Sequence, residues 1–249
     1  MFLSYWCGMG LGKRNIEMGI VHTKQQALLL VGASGGVGSA LLEYLSSRTN
    51  LVCIPTYNRN KPTGNHFSWI HYNSDDPKST RAMFKEISMQ YDISLVIDAS
   101  GTFFASRLLK SSSEDISKVF STNLIAPIEL AKNAQEFMQT GGKIVFMSSV
   151  VATMQLVGSS IYAASKAGLE RGVFSLSSEF SQTGQAICVI RLGYMDYGMT
   201  YKISEKVRDV ILDKLPGGEF INISVLGDQI IRIIEGKSSE VNGMLYEVT

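Results

Sequence analysis

Short apolar runs alternate with segments of helical periodicity along most of this chain, and no other feature restricts its fold as strongly. The first run, residues 27–31, is apolar throughout and ends at a glycine, which is typical of a strand buried on both faces of a parallel sheet. Further strands are predicted at 51–54, 67–71, 95–97, 143–147, 186–190 and 244–246, and helices at 36–48, around 83–87, and at 113–138, 162–180 and 225–234. This alternation predicts an α/β fold, a doubly wound parallel sheet with helices on both faces.

The length and composition predict one domain. The chain has 249 residues, of which 45% are hydrophobic and 18% charged, so it can bury a sizeable core. No internal repeat and no linker rich in Pro or Gly divides it. We expect a single domain over residues 25–249. Residues 1–24 are expected to form an N-terminal extension, either a loosely packed arm or an arm that contacts another subunit.

Charge and cysteine usage exclude several classes of protein. The formal net charge of +1, without a basic block, argues against nucleic acid or an anionic membrane surface as the main partner. The apolar N-terminal stretch is short and lacks a basic region, so we expect neither a signal peptide nor a membrane span. Cys7, Cys53 and Cys188 are widely separated and have no metal-ligand spacing. They predict a reducing, cytoplasmic compartment and no bound metal.

A glycine-rich turn lies between the first predicted strand and the first predicted helix. It reads Gly32-Ala33-Ser34-Gly35-Gly36-Val37-Gly38. Glycine at 32 permits a tight turn, and glycines at 36 and 38 let the backbone approach a pyrophosphate and let the helix pack on the strand. The N-terminal amides of the helix would then face the phosphates. The turn alone is equally compatible with a plain loop, but its place after the first strand favours a dinucleotide site.

The second predicted strand indicates which dinucleotide binds. An acid that would bind the ribose 2′-hydroxyl of NAD is absent, and the strand continues into Thr56-Tyr57-Asn58-Arg59. The planar guanidinium of Arg59 can pair with a 2′-phosphate, so we favour NADP(H) over NAD(H) and assign Asn58 and Arg59 to the cofactor site. The alternative is that Arg59 is an ordinary solvated loop residue.

A tyrosine, a lysine and a serine in the second half of the chain indicate the chemistry. Tyr162 and Lys166 are four residues apart and share a face of the predicted helix. A nearby ammonium lowers the pKa of a phenol from about 10, so Tyr162 can pass a proton to a carbonyl oxygen as hydride arrives at carbon. Ser149, at the end of the fifth strand, can hydrogen-bond that same oxygen. The sequence thus predicts hydride transfer between a nicotinamide dinucleotide and a carbonyl carbon.

Each of these residues alone has an ordinary structural explanation. Tyr162 can be a helix-face aromatic, and Ser149 can cap a turn. A second Tyr-x-x-x-Lys pattern, from Tyr57 to Lys61, has no serine placed upstream of it. The prediction therefore rests on the joint order of the glycine turn, the serine and the Tyr–Lys pair.

These motifs, together with Asp98–Gly101 and Asn123, resemble in order and spacing the short-chain dehydrogenase/reductase family. The resemblance covers the chain from the first strand to its end. The segment Tyr-Ala-Ala-Ser-Lys-Ala-Gly-Leu most resembles the 3-oxoacyl-carrier-protein reductase type within the family. It implies a Rossmann-like fold and a catalytic tetrad of Asn123, Ser149, Tyr162 and Lys166. By this resemblance Asn123 opens the long helix with a kink and holds a water beside Lys166, which also hydrogen-bonds the nicotinamide ribose.

The resemblance also implies a cofactor-binding set spread along the chain. An amide at Asn73 takes the place of the family's acid near the adenine. The complete expected set is Gly32, Ser34, Gly35, Gly36, Val37, Gly38, Asn58, Arg59, Asn73, Ala99, Ser100, Gly101, Tyr162, Lys166, Gly193 and Met195.

The chain departs from the family pattern at several positions. The family's Asn-Asn-Ala-Gly is here Asp98-Ala99-Ser100-Gly101, and the usual threonine of the first motif is Val31. A hydrogen-bonded contact between adjacent strands is thus exchanged for an apolar one at Val31 and Ala99. The family's Pro-Gly is here Leu-Gly193, and the threonine that holds the cofactor carboxamide is Tyr197, with Thr200 as a candidate substitute.

Residues 193–220 are expected to form a substrate lid rich in Tyr and Met. Such a lid suits an acyl or ring-bearing substrate, although core packing uses the same residue types. Lys202, Lys206 and Arg208 form either a basic patch for a carrier protein or a solvated helix face. By resemblance, the helices at 113–138 and 162–180 pair subunits into a homo-oligomer, a dimer or tetramer.

Three functional hypotheses follow. The first is an NADP(H)-dependent reductase that converts a ketone to a secondary alcohol, with a 3-oxoacyl thioester on a carrier protein as the candidate substrate. The second is an alcohol dehydrogenase or epimerase acting on a sugar or secondary metabolite. The third is a dinucleotide-binding sensor without turnover, which the presence of both Tyr162 and Lys166 disfavours.

Overall fold

The computed structural model describes residues 24–63, 66–198, 205–213, 215 and 218–249, without the side chains of 206, 207 and 210. The strands are β1 Gln25–Val31, β2 Val52–Tyr57, β3 Ile70–His71, β4 Tyr91–Asp98, β5 Met138–Ser149, β6 Ala186–Leu192 and β7 Leu245–Val248. The helices are α1 Gly36–Ser46, α2 Pro77–Gln90, α3 Ser113–Phe120, α4 Ala126–Phe137, α5 Ser160–Gln182, α6 Glu205–Leu212, α7 Ile223–Glu235 and α8 Ser238–Val241. A π-helical turn, Ser121–Ile125, joins α3 to α4.

All seven strands pair in parallel, in the order β3-β2-β1-β4-β5-β6-β7. The chain order reverses between β1 and β4, and such a switch point opens a crevice at the carboxyl ends of the strands, where ligands bind in folds of this kind. The sequence-based prediction of a doubly wound, Rossmann-like parallel sheet is confirmed.

Two hydrophobic cores lie on the two faces of the sheet, and β1 contributes to both. Leu28 and Leu30 belong to the core formed with α1 and α7, whereas Leu29 and Val31 belong to the core formed with α2, α4 and α5. This alternation follows from the two-residue period of a strand. A central strand of a parallel sheet is therefore apolar on both faces, as the run at 27–31 predicted.

The helix predicted at 113–138 is interrupted by the π-helical turn. The backbone N–H of Ala126 donates to the carbonyl of Ser121, five residues earlier. Pro127 follows and has no N–H to give to the carbonyl of Asn123, so a regular helical ladder cannot pass through this point. The result is a local widening of the helix that holds Asn123 at its centre.

Two other elements differ from the sequence-based prediction. The third strand has two residues rather than five, and only Thr56 and Tyr57 of β2 pair with it. An edge strand pairs on one side only, so fewer inter-strand hydrogen bonds determine its length than in a central strand. The expected lid region contains a helix, α6, which was predicted only as one of two alternatives for Lys202, Lys206 and Arg208.

The packing of α7 on α1 depends on the absence of a side chain at Gly227. A Cβ there would lie 2.2 Å from Cδ1 of Tyr44. The Tyr44 hydroxyl donates to Asp228 at 2.5 Å, and the Arg48 guanidinium lies 4.0 Å from the ring centroid. The ring is therefore held in place both by its hydroxyl and by one of its faces. We expect Gly227→Ala to lower the free energy of unfolding by about 1–3 kcal/mol in urea titrations, despite the better helix propensity of alanine.

The control is the same substitution in a Tyr44→Ala background. With the ring removed, alanine at 227 should stabilise the helix by about 0.5–1 kcal/mol. An undiminished loss of stability in that background would contradict this account of the α1–α7 contact.

Candidate active site

Three of the four predicted catalytic residues come together at the carboxyl edge of the sheet. Ser149 is the last residue of β5, and Tyr162 and Lys166 lie on the first turns of α5, both buried. The Ser149 hydroxyl accepts from the N–H of Val151 at 3.3 Å and lies close enough to Tyr162 to act on the pKa of its phenol. Phe103 packs edge-on against the Tyr162 ring, with the centroids 5.2 Å apart. The two hydroxyl groups thus lie on the same side of the sheet edge, as donors to a common carbonyl oxygen must.

The pKa of Tyr162 differs from the sequence-based expectation. Burial raises it above its usual value, a hydrogen bond from Ser149 acts in the opposite direction, and Tyr194 adds to the increase. The expectation that Lys166 lowers this pKa toward neutrality is therefore wrong for this structure. The physical reason is that desolvation of the phenolate dominates, and the ammonium is directed elsewhere.

Lys166 points its ammonium at the backbone of β5. Its Nζ donates to the carbonyl of Met147 at 2.8 Å. Burial lowers the pKa of this lysine to about 8, and the charge of Asp98 opposes that decrease. The pKa of this lysine is therefore close to neutral pH. The shift arises from burial in the folded protein, so the sequence alone does not predict it.

Asn123 lies at the centre of the π-helical turn and not at the start of the helix, which corrects the expectation that it opens the helix with a kink. Its Oδ1 accepts from the N–H of Thr102 at 2.8 Å, and its Nδ2 donates to the Thr102 carbonyl at 2.9 Å and to Ser165 Oγ at 3.2 Å. It ties the segment that follows β4 to the helix that carries Lys166. A Cβ at Gly101 would lie 3.4 Å from Asn123 Oδ1 and 3.5 Å from Lys166 Nζ, so two members of the predicted tetrad meet beside this glycine.

The glycine turn brings β1 against the segment after β4. Gly32 has φ +77°, and a Cβ there would lie 2.7 Å from the backbone nitrogen of Ser100. A Cβ at Gly38 would lie 2.2 Å from the carbonyl oxygen of Gly32. The N–H of Gly32 donates to the buried hydroxyl of Thr56 at 3.2 Å. This support from Thr56 was not among the predictions, although a threonine near the end of the strand next to β1 was the available signal in the sequence.

The turn fits the diphosphate of a dinucleotide by its donors. No side chain caps α1, whose N-cap is Gly35, so the amides of its first turn are directed at the crevice. The backbone of Tyr197 and Gly198 lies next to the first turn of α1: a Cβ at Gly36 would be 2.3 Å from the nitrogen of Gly198. The segment after β6 therefore borders the candidate diphosphate site.

The remaining predicted cofactor residues lie around the same edge. Asn58 and Arg59 are exposed directly beyond the end of β2. Asn73 is half-buried ahead of α2, where its Oδ1 accepts from the N–H of Asp75 at 3.2 Å. The N–H of Ala99 donates to the carbonyl of Val31 at 3.0 Å, so the backbone joins the two positions where the family has polar side chains.

The segment after β6 positions the last two predicted cofactor residues. The N–H of Gly193 donates to the carbonyl of Val248 at 2.8 Å. The Met195 side chain is buried in the core shared with α1 and α7, and its backbone pairs with Ile221. The side chain of Met195 is thus structural, and only its backbone is placed for a ligand.

Part of the expected lid lies outside the described residues. This applies to Thr200, to Lys202 and to the side chain of Lys206. Arg208 donates to Asp196 at 2.6 Å and stacks on Phe220, with its guanidinium 4.5 Å from the ring centroid. Arg208 therefore packs within the lid region instead of lying on a purely solvated helix face.

One turn beyond Lys166, α5 is fixed to the sheet by a largely buried ion pair. Glu170 accepts two hydrogen bonds from Arg191 of β6, at 3.0 and 2.7 Å, and one from Ser148 at 2.7 Å. The side chains of Arg191 and Glu170 are 16% and 12% exposed. Arg191 also binds Glu247 of β7 at 2.5 Å. The network joins the strand ends beside Ser149 to the helix that carries Tyr162.

The comparison with known proteins assigns the class. The profile described as short chain dehydrogenase matches residues 26–208, and the chain therefore belongs to this family of NAD(P)-dependent oxidoreductases. It is 28% identical to the 3-oxoacyl-[acyl-carrier-protein] reductase FabG of Escherichia coli over 236 residues, covering 88% of this chain and 97% of the relative. The FabG of Vibrio cholerae is 25% identical over 244 residues, with 92% and 100% covered.

Solved structures share the fold. A dehydrogenase/reductase from Sinorhizobium meliloti superimposes with a TM-score of 0.80 at 16% identity, over 91% of this chain and 94% of that one. A short chain dehydrogenase from Burkholderia cenocepacia in complex with NADP also gives 0.80, at 20% identity, over 90% and 96%. Within the part of the chain that the structure describes, no helix is long and apolar enough to cross a membrane, and no cluster of His, Cys, Asp and Glu is suited to a metal.

The Glu170–Arg191 pair should be essential for stability because its charges have lost most of their water. We expect Arg191→Met to lower the free energy of unfolding by about 3–5 kcal/mol, since it leaves a carboxylate buried without its cation. Replacing Glu170 by Met at the same time should recover most of that loss. Chemical unfolding of the single and double variants measures both effects.

The matched control is Arg81→Met, which breaks the exposed pair with Glu136, where the side chains are 57% and 46% exposed. That change should cost no more than about 1 kcal/mol because solvent screens the pair. Equal losses for the Arg81 and Arg191 variants would show that burial does not set the strength of the inner pair.

Proposed function

We propose that this protein is an NADP(H)-dependent reductase that converts a ketone to a secondary alcohol. One observation carries the proposal: Ser149 and the buried Tyr162 lie together at the carboxyl edge of the sheet, which also holds the glycine turn, and the Ser149 hydroxyl lowers the pKa of Tyr162. The candidate catalytic residues are Asn123, Ser149, Tyr162 and Lys166.

Different side chains of the protein carry out different parts of the proposed reaction. The dinucleotide, when bound, supplies the hydride. The hydroxyls of Ser149 and Tyr162 donate to the substrate carbonyl oxygen and stabilise the negative charge that develops on it. The raised pKa of Tyr162 keeps its phenol protonated at neutral pH, which suits a general acid in the reductive direction. In this structure the Lys166 ammonium is bound to the carbonyl of Met147. We propose that its positive charge, four residues along the helix, acts on the phenolate only in the complex with dinucleotide and substrate, after the proton has left.

Asn123 supports this arrangement from the π-helical turn. Both its oxygen and its nitrogen bind the backbone of Thr102, and its nitrogen also binds Ser165, the residue before Lys166. In the proposed reaction it fixes the segment after β4 against the helix, so that Gly101 remains next to the lysine ammonium.

The residues at the end of β2 favour NADP(H) over NAD(H). Position 59 carries an exposed guanidinium, and none of the residues 56–59 is an acid that would bind a free 2′-hydroxyl. A 2′-phosphate placed there gains a charge-assisted hydrogen bond, whereas NAD gains nothing.

The substrate is proposed to be a 3-oxoacyl thioester on a carrier protein. The support is the similarity to the FabG relatives, which bear that activity in their names, over 88–92% of this chain. The exposed ring of Phe103, in contact with Tyr162, adds an apolar surface beside the reacting oxygen that suits an acyl chain. An alcohol dehydrogenase or epimerase of a sugar or secondary metabolite is the second candidate, and a sensor without turnover the third.

We also propose that the protein forms a homo-oligomer, a dimer or tetramer, through α4 and α5. Ile125 at the end of the π-helical turn, Ile128 at the start of α4 and Phe174 on α5 are large apolar side chains exposed on the single chain. Apolar residues exposed together on helices are typical of surfaces that other subunits cover.

Removal of the Tyr162 hydroxyl should abolish most turnover. We expect Tyr162→Phe to lower kcat at least about 100-fold, because the general acid is lost while the ring and its packing remain. The assay follows the absorbance of reduced nicotinamide with an acetoacetyl thioester and, as a second substrate, a simple ketone. Binding of NADPH, measured by fluorescence titration, should change little, whereas Lys166→Ala should weaken it.

Tyr57→Phe is the control, since Tyr57 heads the other Tyr-x-x-x-Lys pattern and packs edge-on against His71. It should leave kcat unchanged. If Tyr162→Phe kept full activity with every substrate that the wild type reduces, the proposed general acid would be wrong. If wild type bound NADPH but reduced nothing, the sensor would be favoured.

The cofactor preference is tested at Arg59. We expect wild type to bind NADPH more tightly than NADH, and Arg59→Ala to weaken NADPH binding about tenfold while leaving NADH binding unchanged. Lys61→Ala, which removes an exposed cation two residues further on, is the control and should alter neither affinity. Equal affinities for the two nucleotides in wild type and in Arg59→Ala would remove the assignment to NADP(H).

A further inference from the structure

Asp98 is a buried carboxylate at the centre of the carboxyl edge of the sheet. It is the last residue of β4, only 4% exposed, and pairs in register with Val31 on one side and Phe146 on the other. Its Oδ1 accepts from the N–H of Ser100 at 2.9 Å and from the Ser100 hydroxyl at 2.5 Å. An ionised group in such a place is costly unless an opposite charge compensates for the lost water.

Burial raises the pKa of Asp98, and the bonds from Ser100 and then the charge of Lys166 act in the opposite direction. Lys166 is itself only 5% exposed. Its Nζ binds the carbonyl of Met147, which follows Phe146, the register partner of Asp98. The same Nζ would lie 3.5 Å from a Cβ at Gly101, three residues after Asp98. The ammonium therefore lies at the ends of β4 and β5, the edge at which Asp98 ends β4, and the charge of Asp98 favours its charged form.

The other titratable groups nearby are engaged differently. Tyr162, on the same helix as Lys166, is acted on by Ser149, which lowers its pKa, and Glu170 is paired with Arg191. Tyr72 faces Asp98 from the β3 side, and burial, followed by the charge of Asp98, raises its pKa to about 12. The carboxylates of Asp75 on the segment before α2 and Glu129 on α4 act on Tyr72. Among the described residues, Asp98 is the one carboxylate whose charge acts on Lys166.

We propose that Asp98 is a positioning residue that keeps the Lys166 ammonium charged and held at the sheet edge before substrate and dinucleotide arrive. The proposal rests on the role given to Lys166 in the proposed function. Burial on its own drives this lysine toward its neutral amine, which cannot stabilise a phenolate. Asp98 opposes that tendency and so extends reduction to higher pH.

The test is Asp98→Asn, which removes the charge, keeps the size and shape, and restores the amide that the family pattern has at this position. The pKa of Lys166 is measured in the cofactor-free protein by NMR on protein labelled with lysine-¹³Cε. The resonance is identified by its absence from Lys166→Met. In wild type we expect titration near a pKa of about 8. In Asp98→Asn the pKa should be lower by about 1 or more, because a carboxylate in close range is gone.

The second readout is the pH profile of kcat/KM for ketone reduction, which reports groups of the free enzyme. A lower lysine pKa means that the charged form is lost at lower pH, so the alkaline limb should move down. At pH 6 the variant should approach wild-type activity, while at pH 8 it should be lower by about fivefold or more. A merely structural defect would reduce activity at every pH alike.

Asp92→Asn is the matched control, because Asp92 is a half-buried aspartate near the other end of β4 and should leave the lysine pKa and the pH profile unchanged. Ser100→Ala is a second variant in case Asp98→Asn does not fold. It removes the hydrogen bond from the Ser100 hydroxyl that favours the ionised form of Asp98. It should therefore also lower the pKa of Lys166, but by less than Asp98→Asn does.

The outcomes separate this inference from the proposed function. If the Lys166 pKa is the same in wild type, Asp98→Asn and Ser100→Ala, the inference is wrong, even with reductase activity intact. If the pKa falls as expected while Tyr162→Phe remains fully active, the charge pairing stands and the catalytic assignment fails. A uniform loss of activity without movement of the pH profile would also overturn the inference.

Discussion

The parallel pairing of β4 with β1 on one side and β5 on the other is the constraint on which the site depends. It brings Val31, Asp98 and Phe146 to one level, so the three segments that leave these strands meet at the switch point of the sheet. Gly32 can then pack its backbone against Ser100. A side chain at position 32 would separate β1 from β4 and with them the nucleotide turn from the lysine.

Helix α5 is held over this edge by two opposite charges one turn apart. Lys166 reaches the ends of β4 and β5, and Glu170 reaches β5 and β6. Because both side chains are largely removed from water, rotation or sliding of the helix would break a charged contact at each end. The position of Tyr162, which precedes both residues on the same helix, is thus set by electrostatics as well as by apolar packing. The helix needs this accuracy because a phenol must meet the Ser149 hydroxyl.

The sequence predicted much of the fold because buried parallel strands carry their own signal. The apolar runs that became β1, β4, β5 and β6 are each bounded by glycine or polar residues, and the spacing of Ser149, Tyr162 and Lys166 needs only one strand and one helix to converge. Features that arise between distant segments were not predictable. Asn123 bonds Thr102, 21 residues earlier in the chain, and the pKa of Tyr162 depends on how deeply α5 buries it. The partnership of Asp98 and Lys166 also joins residues far apart in the chain.

The close approach of Gly36 and Gly198 has a consequence for substitutions outside the nucleotide turn. A Cβ at Gly36 would lie 2.3 Å from the backbone nitrogen of Gly198, so the segment after β6 borders the first turn of α1. The amides of that turn are the expected diphosphate ligands. A substitution in the segment after β6 that displaces its backbone would therefore reach the candidate diphosphate site without altering any residue of the glycine turn.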